Sequence, residues 1–251
     1  MTDSDARALR RARIGRVGLT LGIDGPAGSG KSTVSKRLAV ELGIGYLDTG
    51  AMYRSLTWYA LDRGLDLSDR SAVAAAAERM PLVMDSDPVD PHYFVGGVEV
   101  TAAIREPRIS ESIAAVSTNL DVRHWMAREQ RRRMLAARAD GSGMVAEGRD
   151  ITTVVCPDAD VRVLLLADNE ARLARRTREL YGDAAPEHLE ATRRQIEDRD
   201  AADATVSEFL TPAPGVAVVD SSGLGVDEVV AAVLELVDED LARRDAPSDG
   251  A

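Results

Sequence analysis

The octet Gly25-Pro26-Ala27-Gly28-Ser29-Gly30-Lys31-Ser32 constrains this chain more than any other stretch. It fits G-x-x-x-x-G-K-[ST], follows the apolar run Val17–Ile23 and precedes the helix-like run Thr33–Leu42. A strand, a glycine-rich turn and a helix in that order build a phosphate cradle. The glycines let several backbone N–H groups converge, and the helix adds its positive end. In such a cradle Lys31 reaches the β- and γ-phosphates and the Ser32 hydroxyl sits on Mg²⁺. The octet therefore points to a nucleoside triphosphate.

Downstream, short apolar runs alternate with longer helix-patterned stretches. Strands are expected over Gly18–Ile23, Gly45–Leu47, Gly143–Ala146, Val161–Ala167 and Gly215–Val219. Each is a near-continuous apolar run, as befits strands buried on both faces of a parallel sheet. Helices are expected over Lys31–Leu42, Met52–Arg63, Ser71–Arg79, Ser110–Ala137, Glu170–Tyr181, Pro186–Ala202 and Val226–Arg243. The alternation predicts an α/β fold, a doubly wound five-stranded parallel sheet of the P-loop NTPase type with ligands at the carboxyl ends of its strands. Leu82-Val83-Met84, Tyr93-Phe94-Val95 and Val98-Glu99-Val100, with Gly96-Gly97 as a turn, break the rhythm. They predict a small antiparallel β insertion over residues 81–108.

A chain of 251 residues suits one generous domain, placed here at residues 17–243. Residues 1–16 carry five arginines and no following apolar stretch, so they read as a disordered tail and not as a secretory signal. Residues 244–251, polar with Pro and Gly, read as a second disordered tail. No apolar stretch approaches bilayer length, so no membrane partner is expected. The net charge of −11 argues against a nucleic-acid surface. Cys156 is the single cysteine, which leaves no intrachain disulfide and fits a reducing cytoplasm. Of the basic residues only Lys31 and Lys36 are lysines.

Three further clusters carry candidate chemistry. Asp48-Thr49-Gly50-Ala51-Met52-Tyr53-Arg54 follows the second strand and opens a helix. It gathers a hydroxyl, a phenol and a guanidinium where a second ligand would lie, or it is simply a capped helix start. Glu147-Gly148-Arg149-Asp150 ends the third strand. Its carboxylates could hold a Mg²⁺ water, orient an acceptor hydroxyl or pair internally. Arg172, Arg175, Arg176 and Arg178 lie on one helix, Arg193, Arg194 and Arg199 on the next, with Tyr181–Ala185 between. Two such helices, spanning residues 172–206, make a lid over transferring phosphates, or a solvated face laced with pairs such as Arg194 with Asp198.

From about Leu19 to Leu241 the chain resembles bacterial cytidylate kinase, a nucleoside monophosphate kinase. The resemblance rests on Ile23–Thr33, on Leu47–Arg54, on the insertion ending Val100-Thr101-Ala102-Ala103-Ile104-Arg105, and on Glu147-Gly148-Arg149-Asp150 followed by Thr153-Val154-Val155. It implies ATP on Gly25 through Thr33, Mg²⁺ bound directly by Ser32 and through water by Glu147, and (d)CMP as acceptor. Thr49, Tyr53 and Arg54 would contact the acceptor nucleotide, with Arg54 on its phosphate. Arg123, Gly148 and Asp150 would hold the cytidine side and Asp203 the sugar. Lys31, Arg149, Arg175 and Arg199 would act on the transferring phosphoryl group. Nucleotides are then the partners of a cytoplasmic monomer.

Some positions depart from the family pattern. Its lid motif R-D-x-x-D-x-x-R appears as Arg199-Asp200-Ala201-Ala202-Asp203-Ala204-Thr205-Val206, with Val206 at the final arginine and Ala202 at a common basic site. Ala114 stands at a serine of the family, with Ser117 one turn further on, and Thr152 at a glycine. Losing one charge-assisted hydrogen bond to phosphate costs about tenfold to over a hundredfold in affinity. Either Arg193 or Arg194 compensates, or the acceptor is a different one. A same-fold kinase retuned to another acceptor, and a binding-only homologue, therefore stand beside the pyrimidine monophosphate kinase reading. A GTPase-type switch needs N-K-x-D, and neither lysine follows an asparagine.

Overall fold

The computed structural model describes residues 2–182 and 185–245. In chain order it begins with α1 (Asp3–Val17), β1 (Thr20–Asp24), α2 (Lys31–Leu42), β2 (Gly45–Asp48), α3 (Thr49–Asp62) and α4 (Arg70–Arg79). Three short strands follow, β3 (Leu82–Met84), β4 (Tyr93–Val95) and β5 (Val98–Glu99), then α5 (Pro107–Ser117), α6 (Leu120–Ala139) and β6 (Met144–Gly148). The chain continues through a π-helical turn at Ile151–Val155 into β7 (Val161–Leu166), α7 (Asn169–Tyr181), α8 (Pro186–Ala204), β8 (Ala217–Asp220) and α9 (Val226–Asp245).

The main sheet has five parallel strands in the order β2-β6-β1-β7-β8. β1 is buried along its whole length, which explains its unbroken apolar character. One face packs Leu21, Ile23, Val163 and Leu165 against Val34, Leu38, Val233 and Val237 of α2 and α9. The other packs Leu47 and Ala146 against Met52, Leu56, Val122 and Met126 of α3 and α6. Helices on both faces make the sheet doubly wound, and the carboxyl ends of β1, β2 and β6 open to one edge.

The short strands form a separate antiparallel sheet, β3-β4-β5. Its β4–β5 turn is Gly96-Gly97, with φ of +59° and +81°, the pair of positive angles a tight hairpin demands. Buried Tyr93, Val95 and Val100 join the core under α3. Pro107 and Arg108, placed in the insertion by sequence, instead begin α5.

Residues 1–16 correct the sequence expectation. From Asp3 onward they are not a disordered tail: α1 is capped by a reciprocal Thr2–Asp5 pair and buries Ile14 to 2% exposure. Arg10 makes two hydrogen bonds to Asp238, at 2.8 and 2.7 Å, and Arg13 and Arg16 both bond Asp245. Arginines that look solvated locally are thus matched to acids of α9 more than two hundred residues away. At the other end, Arg244 and Asp245 lie inside α9, and the rest of that expected tail is outside the described residues.

The helix expected over Ser110–Ala137 is in fact two. Asn119, 1% exposed, separates α5 from α6, and its Oδ1 accepts from the Asp121 amide at 3.1 Å as an N-cap. Its Nδ2 donates to the Arg70 carbonyl at 2.8 Å.

Candidate active site

The loop between β1 and α2 has the shape its glycines foretell. Gly25, Gly28 and Gly30 have φ of +149°, +75° and +93°, and a Cβ on Gly25 would stand 2.1 Å from the Leu165 carbonyl. No side chain caps α2, so its first amides remain turned toward the loop. Lys31, 6% exposed, folds back across the cradle and donates from Nζ to the Pro26 carbonyl at 2.7 Å. Burial lowers the Lys31 pKa well below its usual value, with Arg149 and Arg199 adding to the effect and Glu147 and Asp24 opposing it. Ser32 and Thr33 are exposed on the first turn of α2.

Beside the cradle lies the turn that ends β6. Glu147 is 6% exposed; its carboxylate accepts from the Tyr46 hydroxyl at 2.7 Å and its carbonyl from Thr49 Oγ1 at 2.6 Å. A Cβ on Gly148 would meet Thr49 Oγ1 and the Ile151 side chain, both at 2.9 Å, so only glycine lets β6 approach α3 this closely. Arg149 donates from Nε to Asp203 at 3.1 Å and lies over the Phe209 ring. Arg199, one turn before Asp203 on α8, has its Nε 3.9 Å from the same carboxylate. Asp150 accepts from Arg123, which also donates to the Ser117 carbonyl at 3.1 Å. Tyr53 is half-buried, close enough to feel Asp150, Arg123 and Asp203, and its phenol pKa is raised, chiefly by desolvation.

The cations crowd together. Burial, then Arg149 and Arg54, push the Arg199 pKa down to about 9. Arg54 and Arg105 both act on the Tyr93 phenol, so they share one neighbourhood, and Arg105 lies 4.0 Å from Asp48. Guanidinium groups held this close favour a polyanion between them. The structure thus brings Lys31, Arg54, Arg149, Arg199 and Asp203 to one strand edge, and Arg123, Asp150 and Tyr53 to its flank.

The lid arginines are held as follows. Arg175, expected to act on phosphate from the lid side, donates to the Ser221 carbonyl and hydroxyl and toward the Ser29 carbonyl, tying the β8–α9 turn to the loop. Arg193 and Arg194 pair with Glu190, at 3.8 and 3.4 Å, on the exposed face of α8. The pair observed for Arg194 is Glu190, not Asp198. Sequence reasoning also passed over three residues. Asp24 and Arg105 lay inside motifs quoted only for their resemblance, and Asp200 of α8 proves to accept from the Ala27 amide at 3.1 Å.

The cytidylate kinase family model matches residues 21–239. The chain belongs to the cytidylate kinase family. A cytidylate kinase of Streptomyces avermitilis is 41% identical over 223 residues, covering 88% of this chain and 94% of its own. That of Cutibacterium acnes is 43% identical over 221 residues, covering 87% and 96%. That of Shouchella clausii is 40% identical over 223 residues, covering 88% and 97%. This cytidylate kinase family member therefore shares nearly the whole length of its relatives.

For Mg²⁺, the chemistry of the donor set fits. An exposed serine hydroxyl at the cradle's end and a carboxylate on the adjoining strand suit an ion that keeps several waters and takes its remaining oxygens from phosphate. Among the described residues no helix is long and apolar enough to cross a membrane.

Proposed function

We propose that this chain transfers the γ-phosphoryl group of ATP to CMP or dCMP. The observation that carries the reading is the cradle of a cytidylate kinase family member set against a cation cluster at the same strand edge. The names of the relatives favour CMP over the retuned acceptor considered for Val206.

In this reading the amides of Gly25 through Thr33 hold the ATP phosphates. Ser32 would hold Mg²⁺ directly and Glu147 through water, and the ion would supply positive charge against the phosphates. Lys31 exchanges the Pro26 carbonyl for phosphate oxygens. Arg54 holds the acceptor phosphate, with Thr49 and Tyr53 beside it, while Gly148, Asp150 and Arg123 line the cytosine side and Asp203 the sugar. Arg149 and Arg199 stabilise the charge that develops as the phosphoryl group passes between oxygens. No covalent intermediate is needed, because alignment and charge supply the catalysis. The α7–α8 hairpin acts as a lid that excludes water. A reducing cytoplasm accords with the single buried thiol of Cys156, and the chain acts as a monomer in this reading.

The test is coupled detection of ADP with CMP, dCMP and UMP as acceptors. Turnover of CMP or dCMP is expected, and Lys31→Ala should lower kcat by about 10²–10³-fold, the usual effect of removing one charge-stabilising donor. Turnover of neither CMP nor dCMP, or an undiminished Lys31→Ala, would overturn the reading.

A further inference from the structure

Asp24 is the last residue of β1 and directly precedes the phosphate loop. It is 2% exposed, and its carboxylate leaves the strand to cap another element. Oδ1 accepts from the Ile151 amide at 2.9 Å, and Oδ2 accepts from the Thr152 amide and the Thr152 hydroxyl, both at 2.7 Å. These amides open the π-helical turn Ile151–Val155, so the carboxylate satisfies the orphan donors that a helical N-terminus leaves. Side-chain packing points the same way. A Cβ on Gly22, two residues up β1, would lie 3.0 Å from Ile151 Cγ2 and 3.4 Å from Thr152 Cγ2, so the turn rests directly on the strand.

The turn begins immediately after Arg149 and Asp150. Arg149 reaches Asp203, and Asp150 reaches Arg123. One carboxylate therefore joins two pieces of the machinery: its own backbone runs into the ATP cradle, and its oxygens hold the start of the acceptor-side turn. Among the described residues Thr152 gives Asp24 its only side-chain hydrogen-bond donor, and it is itself buried at 3% exposure. Charged groups around Asp24 are Lys31 from α2 and Asp150 from the turn.

We propose that Thr152, through its hydroxyl bond to Asp24, is a positioning residue that sets where Arg149 and Asp150 stand relative to the phosphate loop. The inference rests on the CMP kinase reading above. It assigns Thr152 a part in acceptor binding without direct contact to nucleotide.

Removing the hydroxyl while keeping the shape isolates the bond. Thr152→Val is expected to raise KM for CMP about tenfold, the loss of one charge-assisted hydrogen bond transmitted to the turn. ATP affinity, titrated without CMP, should stay within about twofold, because the cradle amides are untouched. Thr152→Ser, which keeps the donor, should return KM for CMP to within about twofold of wild type. Combined with Asp24→Asn, Thr152→Val should add less than its effect alone, since both act through one bond. Thr152→Ala serves the same comparison where the valine variant folds poorly. Unchanged KM and kcat in the valine variant, equal losses for ATP and CMP, or full additivity with Asp24→Asn would overturn the inference while leaving the CMP reading intact. A wild-type enzyme inert toward both CMP and dCMP would overturn both.

Discussion

The Asp200 carboxylate stands between the phosphate loop and Arg172: Oδ1 accepts from the Ala27 amide at 3.1 Å, and Oδ2 accepts from Arg172 Nη2. Around this junction Ala27, Leu173 and Ile196 form a small apolar cluster, so α7 and α8 are docked on the loop by charge and by packing together. Both partners are largely enclosed, at 10% and 16% side-chain exposure.

Breaking an enclosed pair leaves one charge stranded and costs about 3 kcal/mol. Asp200→Ala is therefore expected to lower the thermal midpoint by about 6–12 °C for a chain of this size. Calorimetry checks this, and an unmoved midpoint would show that the contact contributes nothing to stability.

Asn119 carries the break between α5 and α6. Its side chain caps α6 and ties α4 through the Arg70 carbonyl, while its own carbonyl accepts from the Arg123 amide at 2.9 Å. Asn119→Ala should cost about 1–2 kcal/mol in urea unfolding, the usual loss for a missing cap. Asn119→Asp keeps the capping oxygen but sets a second acceptor against the Arg70 carbonyl, so it should not recover the loss.

Val206 lines an open cavity of about 520 Å³ with Arg70, Thr118, Leu120, Ala202 and Thr205. That space can receive a longer side chain without repacking the core. Val206→Arg is expected to lower KM for CMP about tenfold if the new guanidinium reaches phosphate, a gain of roughly 1.4 kcal/mol. A steady-state titration decides it: no improvement would mean the cavity faces away from the acceptor.

Asp24 makes a pH prediction. Burial raises its pKa from 3.8 to about 6, against the opposing hydrogen bonds from Thr152 and Ile151. The folded chain thus keeps a proton that the unfolded chain releases. The resulting stability is full below the unfolded value and is lost as pH rises through about 6, a swing of about 3 kcal/mol. Asp24→Asn should flatten the stability profile between about pH 4 and pH 6, read from urea midpoints across that range. Profiles that run parallel in the two proteins would contradict the assignment.

Some of this molecule could be read directly from residue order. The loop Gly25–Ser32, the unbroken apolar strands, α2 over Lys31–Leu42 and the Gly96-Gly97 hairpin all follow from local rules: spacing, periodicity and the φ > 0 that glycine allows. Those rules act within a few residues, so they hold whatever the rest of the chain does.

Partner choice was settled only in three dimensions. The arginines of α1 found their acids on α9, Arg175 turned to the Ser221 carbonyl, and Asp24 capped a turn 127 residues further on. Sequence spacing ranks which groups can meet along one helix, but a carboxylate or guanidinium takes whichever buried partner the packed sheet delivers. Charge type was therefore legible from the sequence alone, whereas charge pairing belonged to the tertiary fold, because desolvation penalises an unpaired group only once the core has closed around it.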